Sequence, residues 1–323
     1  MTRALLNSLA ALSILAAPVA SAQDYPTKGP IKLVIGFAAG GGTDAIARSL
    51  NTRMGEILKQ SVLVENRPSA GGIVATEAVA KSAADGYTVS FNVNTHAINQ
   101  ALYPKLPYDT ERDLRGVTLI GSLGQTLAAH PAAEANTLQQ FLKLEAADSN
   151  KKRLVANGGV GSPGHLAAAY LESLAAVKFT HVPYRGAGPG IIDVIGGQVP
   201  VLFDNLPSSK AQIDAGKMRL LAVASAKRLP AYPNVPTFAE IGMPEVNDPA
   251  WYGLVAPAKT PKEIIDKLYA ASVKAVNAPA IKEKLSQQGA DPVANTPAEF
   301  ARDIKNEYDK MKAIVVKKGI KLD

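Results

Sequence analysis

A strand, a glycine-rich turn and the start of a helix follow one another near the beginning of the chain, in the stretch Ile31-Lys32-Leu33-Val34-Ile35-Gly36-Phe37-Ala38-Ala39-Gly40-Gly41-Gly42-Thr43-Asp44. The first five residues are mostly apolar and rich in β-branched side chains, which predicts a buried strand. Thr43 and Asp44 are residue types that favour the beginning of a helix. A strand that passes through a glycine turn into a helix is the unit from which α/β proteins are built.

The same unit recurs along the chain. Residues 61–65 predict a second strand, 66–72 a second glycine-containing turn, and 73–82 its helix. Further strands are predicted at residues 87–92, 154–156, 178–181, 199–203, 218–224 and 250–256. The extended stretch 116–129 lies between the early and the later units and is long enough to pass between lobes. The pattern therefore predicts an α/β fold of two lobes, each a mostly parallel sheet flanked by helices.

The first 22 residues have the features of a secretory signal peptide. Arg3 is the only charged residue before Asp24, residues 4–17 are mostly apolar, and the small residues Ala20-Ser21-Ala22 follow. A positive start, a short apolar core and such a cleavage site are typical of exported proteins. The apolar run is short for a membrane anchor, which is the alternative interpretation. We therefore expect the mature chain to begin at Gln23 and to reside in the periplasm.

Composition indicates a globular protein and disfavours several kinds of chemistry. Of the 323 residues, 47% are hydrophobic and 20% are charged, which is sufficient for a sizeable core. Cysteine is absent, so thiol catalysis and cysteine-ligated metals are not available. The net charge of +7 comes from scattered basic residues mixed with acids, and nucleic acid is not an expected partner. The four histidines show no metal-ligand spacing, and we expect neither a metal nor a cofactor.

Four glycine-rich segments fall mostly where a predicted strand passes into a helix, at residues 38–44, 68–72, 157–165 and 185–190. In open α/β sheets, ligands bind at this end of the strands. Helix N-termini offer unpaired N–H groups and the positive end of a dipole, and glycine lets a ligand approach the backbone closely. These loops could hold carboxylates without a basic side chain, with the hydroxyls of Thr43, Thr95 and Ser162 as further donors.

An exported serine hydrolase is the alternative from the enzyme class. Ser162, either His165 or His181, and Asp204 include the residue types of a catalytic triad. The residue two positions before Ser162 is Val160, however, so the G-x-S-x-G elbow is missing. No glycine loop is followed by G-K-[ST] or carries the full dinucleotide fingerprint, which disfavours nucleotide binding. A scaffold or adhesin, the third class, would need a large exposed apolar patch.

Several side chains allow two interpretations. Asp204 follows a predicted strand, where it would either face a ligand or cap the next helix. His96 lies in a polar stretch just past another strand and would be either a structural histidine or a ligand contact. Trp251 and Tyr252 suit packing better than stacking on a ligand. Phe37, at the tip of the first strand, could cover an apolar ligand body.

An ordered set of motifs resembles the Bug-type solute receptors of tripartite tricarboxylate transporters. The motifs are Tyr25-Pro26, F-x-x-G-G-G-T-D at residues 37–44, Glu65-Asn66-Arg67, Ala70-Gly71-Gly72, Asp85-Gly86-Tyr87, Gly161-Ser162-Pro163-Gly164-His165, Val182-Pro183-Tyr184-Arg185-Gly186 and Phe203-Asp204-Asn205. They extend over essentially the whole mature chain. One departure is Ala38-Ala39 before the glycines, where the family often has a proline.

The resemblance implies a type II periplasmic-binding-protein fold, whose two lobes are joined by crossing strands and close on a ligand by hinge motion. One lobe would comprise residues 23–122 and 225–323, and the other residues 123–224. The resemblance implies a binding protein and not an enzyme. Its ligand would be a citrate-like acid, a dicarboxylate, an acidic amino acid or an aromatic acid. The partners would be membrane transporter subunits, and we expect the receptor to be a monomer.

Two loops of the first lobe would grip one ligand carboxylate through backbone amides and ordered water, as the resemblance implies. Carried over to this chain, the first loop is Gly40, Gly41, Gly42 and Thr43, and the second is Ala70, Gly71 and Gly72. We expect Phe37, Thr95, His96, Ser162, Tyr184 and Asp204 to contact the remainder of the ligand. A valine in place of Gly41 should then weaken binding while the protein stays folded.

Overall fold

A computed structural model describes residues 25–147, 153–225, 227–246, 250–287 and 289–318. The predicted signal peptide, residues 1–22, lies outside these ranges. The strands are β1 (Ile31–Ile35), β2 (Val62–Asn66), β3 (Thr88–Val93), β4 (Leu114–Leu123), β5 (Gln125–Ala129), β6 (Leu154–Asn157), β7 (Thr180–Pro183), β8 (Val201–Asn205), β9 (Arg219–Val223), β10 (Ala250–Pro257) and β11 (Ala290–Pro292). The helices are α1 (Gly42–Leu58), α2 (Ile73–Ala80), α3 (Thr95–Leu102), α4 (Thr110–Asp113), α5 (Leu138–Ala147), α6 (Pro163–Ala175), α7 (Ala187–Ile195), α8 (Leu206–Asp214), α9 (Lys262–Val276), α10 (Pro279–Gln287) and α11 (Pro297–Lys318).

The described strands form two sheets, one in each lobe, which confirms the predicted α/β architecture. The first has the order β11-β4-β10-β3-β1-β2 and the second the order β7-β6-β8-β5-β9. Strands of the strand–turn–helix units pair in parallel, whereas β4, β5, β9, β10 and β11 pair antiparallel to their neighbours. The sheets are mixed by pairing because β5 and β10, the strands that bring the chain into each lobe, run antiparallel to the neighbours between which they insert. The strands of the strand–turn–helix units keep the predicted parallel direction.

Gly124 marks the point where the chain first crosses between the lobes, since β4 belongs to the first sheet and β5 to the second. A β-carbon on Gly124 would stand 1.8 Å from the carbonyl oxygen of Ala224, which follows β9. The amide of Ala224 donates a hydrogen bond of 2.6 Å to the carbonyl of Gln125. The extended stretch 116–129 thus crosses as its length predicted, and it lies directly against the end of β9.

The chain returns to the first lobe at β10, which inserts antiparallel between β3 and β4. The preceding segment belongs to the second lobe, because Phe238 and Val246 are buried in its core and Phe238 stacks on Phe203 with 5.6 Å between ring centroids. The predicted boundary at residue 225 is therefore too early. Leu229, Tyr232 and Val235 also pack against the second lobe, and the change of lobe follows Val246.

Each lobe has its own apolar core between sheet and helices. On α1, Ile46, Leu50 and Met54 recur every four residues, are buried, and pack with the strands of the first sheet. Full burial of one such side chain contributes about 1.5–3 kcal/mol to folding. This packing fixes the start of α1 at the carboxyl end of β1, and the helices of the second lobe are positioned by the same principle.

Candidate functional site

The two lobes meet around a cavity of about 30 Å³. Residues of both lobes line it: Phe37, Gly41, Gly42, Thr43, Val93, Ala250 and Tyr252 from the first, and Gly158, Ser162, Pro163, Gly186, Ala187, Asp204, Asn205 and Ser208 from the second. A space of this size accommodates about one water-sized group. An organic ligand therefore requires the lobes to move apart before it enters.

The first lobe presents the N-terminus of α1 to this cavity. Gly41 occupies the N-cap position and, being glycine, provides no side-chain cap. Gly40 adopts a positive φ of 81° that suits glycine, and its amide donates to Asp44 Oδ2 at 3.1 Å. Asp44 also accepts from Asn66 Nδ2 at 3.1 Å and pairs with Arg48 at 2.9 Å. Asp44 and its partners thus stabilise the turn on the side away from the cavity. The first amides of α1, which have no side-chain cap from their own helix, face the cavity.

Burial alone would raise the pKa of Asp44, but the hydrogen bonds from Arg48, the Gly40 amide and Asn66 outweigh it and lower that pKa. The Asp44 carboxylate is consequently ionised at neutral pH, and its hydrogen bonds are made within the loop. It is not available as a ligand contact.

Three helices of the second lobe also begin at the cavity. Ser162 caps α6, because its Oγ accepts from the His165 amide at 3.2 Å, and Pro163 occupies the first turn. Gly186, with a φ of 100°, precedes α7. Asn205 precedes α8 and makes no side-chain cap to its own helix. Together with α1, four helix N-termini converge on one small space.

Asp204 is the acidic residue among the lining side chains, and no lysine or arginine stands beside it there. Its side chain is 6% exposed, and Oδ2 has no hydrogen-bond partner among the described residues. Burial raises the pKa of this carboxyl to about 6. The Asp204 carboxyl can therefore be protonated slightly below neutral pH.

Tyr252 reaches the cavity from the opposite lobe. Its hydroxyl is buried and, within the ranges that the structure covers, has no hydrogen-bond partner. Burial, together with the nearby charge of Asp204, holds the pKa of Tyr252 well above its usual range, so the phenol keeps its proton. Sequence reasoning assigned Tyr252 to packing, and its ring does stack on Phe91, but its polar end faces the cleft.

The structure brings six of the predicted ligand-binding residues to the cavity, namely Phe37, Gly41, Gly42, Thr43, Ser162 and Asp204. The second glycine loop lies behind them. Gly72 is close to Gly36 and the Phe37 ring, and the carbonyl of Gly71 accepts from Asn99 Nδ2 at 2.8 Å. Ala70, Gly71 and Gly72 therefore support the first loop without lining the cavity, and Gly40 supports it through Asp44.

Thr95, His96 and Tyr184 do not reach the cavity in this structure. Thr95 begins α3 and is fully buried. His96 is 2% exposed, its Nδ1 lies 3.3 Å from Asn92 Nδ2, and burial lowers its pKa to about 4. The Tyr184 hydroxyl donates to Asp193. The pattern of the sequence placed these residues just after strands, but it could not show to which side each side chain turns.

The residue types of a triad are present near Ser162 without the arrangement of one. Among the described residues, no hydrogen bond joins Ser162 Oγ to an imidazole. His165 accepts from the Gly161 amide at 3.2 Å through Nδ1, and its ring lies edge-on to His181 at 4.9 Å. His181 in turn pairs with Glu172 at 3.2 Å. His165 therefore stabilises the start of α6, whereas the Glu172–His181 pair joins the last turns of that helix to β7.

Sequence reasoning missed the role of Ser208, which lines the cavity. Gly158 and Ala187 line it as well, and both lie in the glycine-rich segments 157–165 and 185–190 that the sequence indicated as possible carboxylate-binding loops. Ser208 lies within α8, and only the approach of the two lobes brings it to the site.

Comparison with known proteins identifies the family that shares this architecture. Residues 46–320 match the profile of the TctC family, described as the tripartite tricarboxylate transporter family receptor. The chain belongs to the TctC family. This result confirms the family-level expectation drawn from the sequence motifs.

Among TctC relatives, BugT of Bordetella pertussis strain Tohama I is 34% identical over 326 residues, which cover 100% of this chain and 99% of BugT. A solved periplasmic transporter is 40% identical with a TM-score of 0.89, covering 93% of this chain and 100% of its own. MatC of Rhodopseudomonas palustris with bound malate is 31% identical (TM-score 0.84; 89% and 99% covered). R. palustris Rpa4515 with adipate is also 31% identical (TM-score 0.87; 92% and 99% covered).

None of the helices in the described part of this TctC chain combines the length and the hydropathy needed to cross a bilayer.

Proposed function

We propose that this TctC protein captures a small organic carboxylate between its lobes and delivers it, chemically unchanged, to the membrane subunits of a tripartite tricarboxylate-type transporter. The observation that carries the proposal is the convergence of four helix N-termini on a cavity without lysine or arginine. Each N-terminus stabilises an anion by roughly 0.3–2 kcal/mol, depending on burial. Together they favour a carboxylate over a neutral solute.

The carboxylate would lie at the start of α1, where the amides of Gly42 and Thr43 have no cap from their own helix. These fixed N–H groups would replace the water that the carboxylate loses on burial. The rings of Phe37 and Tyr252 and the side chain of Val93 would cover the carbon body of the ligand. Asp204 and the Tyr252 hydroxyl would contact its other end, since both have unpaired polar atoms there.

Relatives support the ligand class and the location. MatC holds malate and Rpa4515 holds adipate, and both ligands are dicarboxylates. The related solved structure is of a periplasmic transporter, and the family is one of transporter receptors. These relatives support our proposal that the mature chain resides in the periplasm after removal of residues 1–22. The membrane partner follows from the family alone.

A thermal-shift screen tests the ligand class directly. Protein refolded to remove carried-over ligand is heated with malate, adipate, citrate, aspartate and benzoate, and with the neutral amides of the same acids. A ligand that binds only the folded protein adds about 2.7 kcal/mol of stability at one hundred times its dissociation constant. We expect at least one acid to raise the melting temperature and its amide to have no effect. Absence of any shift would contradict the proposal.

Gly41→Val provides the site-specific test, with Ala39→Val as its matched control. A β-carbon on Gly41 would meet only the Ala38 carbonyl oxygen, at 3.4 Å, so valine fits the backbone and projects into the cavity. Ala39 lies in the same loop and is exposed. We expect Gly41→Val to abolish the thermal shift and Ala39→Val to preserve it. Equal shifts in both variants would place the ligand elsewhere.

A further inference from the structure

A chain of hydrogen bonds joins the two lobes across the cleft. The amide of Gly42, at the start of α1, donates to Ser208 Oγ at 2.9 Å. The Ser208 hydroxyl donates in turn to Asn205 Oδ1, also at 2.9 Å. Gly42 belongs to the first lobe, whereas Ser208 and Asn205 belong to the second. The Ser208 hydroxyl thus accepts one hydrogen bond from the first lobe and donates one within the second.

Ser208 acts on α1 as an N-cap residue would, but from the other lobe. An N-cap side chain normally accepts a hydrogen bond from one of the first free amides of its own helix. Gly41 has no side chain, and α1 has no side-chain cap of its own. The first amide of α1 is instead satisfied by Ser208 Oγ. Separation of the lobes would leave that amide to water.

The fit around Gly42 depends on the absence of a side chain. A β-carbon there would stand 2.0 Å from Asn205 Oδ1 and 2.8 Å from Ser208 Oγ. The Asn205 amide belongs to a buried residue and cannot simply swing aside. Gly42 therefore permits a closeness between the lobes that no other residue at this position would permit.

Other contacts between the lobes also stabilise the closed arrangement. Leu166 of α6 packs with Ile98 and Leu102 of α3 and with Met311 of α11, in an apolar cluster shared by both lobes. A β-carbon on Gly186 would stand 3.1 Å from the Ala38 amide nitrogen. The closed arrangement thus contains apolar packing as well as the hydrogen-bond chain, and all of it comes from the protein.

We propose that Ser208 is a closure residue, which caps α1 from the opposite lobe and holds the lobes together before any solute binds. A carboxylate that enters must then take over the Gly42 amide from Ser208 or share it. Binding consequently adds to a closed state that already exists. This inference concerns the lobes themselves and holds or fails independently of the identity of the solute.

Fluorescence energy transfer between the lobes measures the closed fraction directly. The chain contains no cysteine, so Ile192→Cys on α7 and Lys282→Cys on α10 provide two unique exposed labelling sites, one per lobe. Single-molecule measurements on refolded, carboxylate-free protein then give the closed-to-open ratio. Loss of one cap is equivalent to about a fivefold change in an equilibrium constant. We expect the parent protein to be mainly closed and Ser208→Ala to lower the ratio about fivefold.

Two control variants, Ser209→Ala and Gly41→Ala, distinguish an effect on lobe closure from a general effect on folding. Ser209→Ala removes the neighbouring hydroxyl of α8, which is buried and has no hydrogen-bond partner in the described structure, and it should leave the ratio unchanged. Gly42→Ala should open the lobes further than Ser208→Ala, whereas Gly41→Ala should not open them. Circular dichroism verifies that each variant is folded. A parent protein that is mainly open, or equal ratios for Ser208→Ala, Ser209→Ala and the parent, would overturn the inference.

Discussion

Gly36 and Gly72 lie in backbone contact, so that a β-carbon on Gly36 would stand 2.4 Å from the α-carbon of Gly72 and 3.1 Å from its carbonyl oxygen. The amide of Ser69 donates to the Gly36 carbonyl at 3.2 Å, and that of Arg67 donates to the Ile35 carbonyl at 2.8 Å. The two glycine loops of the first lobe are therefore one packed unit. The second loop affects the cavity through the first.

Gly36→Ala should separate these loops. The added methyl group has only backbone atoms to displace, and such overpacking costs about 1–3 kcal/mol of stability. The shift of the first loop should also weaken carboxylate binding. Urea denaturation and calorimetric titration measure the two effects. Gly41→Ala serves as the control for stability, because its β-carbon meets nothing closer than 3.4 Å. Parent-like stability in Gly36→Ala would contradict the packing described here.

The strand–turn–helix units could be predicted from the sequence because their signals are local. Apolar β-branched runs, the glycines after them and the capping residue Ser162 each act within a few positions of the chain. The helix start predicted at Thr43 and Asp44 lies one residue earlier, because Gly41 takes the N-cap position without a side-chain cap. The family motifs supplied the return of the chain to the first lobe. The placement of residues 225–246 in the second lobe could not be predicted, since it depends on the packing of Phe238 on Phe203.

The candidate site could be predicted only as far as backbone position determines it. Gly42 begins the helix that follows β1 and Asp204 lies at the carboxyl end of β8, and such strand ends converge in this class of fold. Which way a side chain turns depends on tertiary contacts, as the burial of His96 beside Asn92 illustrates. The Ser208 contact depends on how closely two lobes approach, for which no pattern within α8 gives a signal.

Tyr252→Phe should separate ligand binding from stability. The Tyr252 hydroxyl has no hydrogen-bond partner in the described structure, so its removal leaves no protein group newly unpaired. We expect stability to be unchanged or slightly increased, and carboxylate affinity to fall about tenfold because a hydrogen bond to the ligand is lost. Titration calorimetry and urea denaturation provide both values. Tyr108→Phe, which removes a buried hydroxyl outside the cavity, is the control and should keep full affinity.

His96→Gln tests whether this residue is structural. Its imidazole is buried away from the cavity, so the substitution should lower stability by about 1–3 kcal/mol and change carboxylate affinity less than twofold. A large loss of affinity in a variant of near-normal stability would instead support the ligand contact that the sequence suggested.

The pH dependence of stability gives a second test of His96. Burial lowers its pKa from 6.5 to about 4, so between these values the folded protein binds fewer protons than the unfolded chain. Its contribution to stability is therefore present above pH 6.5 and is lost as the pH falls towards 4. The stability difference between the parent protein and His96→Gln should shrink over this window. A difference that is constant with pH would show that the pKa of His96 is the same in the folded and unfolded chains, and would contradict its burial as a neutral imidazole.

Asp204→Asn should produce the opposite trend. Burial raises the pKa of Asp204 from 3.8 to about 6, so the folded protein binds more protons than the unfolded chain between these values. The parent protein should therefore lose stability as the pH rises through this window, by on the order of 3 kcal/mol in total, and the asparagine variant should not. Urea denaturation at pH 4 to 8 measures the difference. Parallel curves would mean that the surrounding helix N-termini keep Asp204 ionised throughout.

Binding of a carboxylate ligand should be coupled to uptake of a proton by Asp204. An anion brought into the cavity beside Asp204 raises its pKa further, because two like charges cannot both be kept in so small a space. Above pH 6 the parent protein should then take up a proton on binding, and its affinity should fall by up to about tenfold per pH unit. Calorimetry in buffers of different ionisation enthalpy counts that proton. Asp204→Asn, with its neutral amide, should bind the acid with an affinity independent of pH; a pH dependence that persists in the variant would assign the proton to another group.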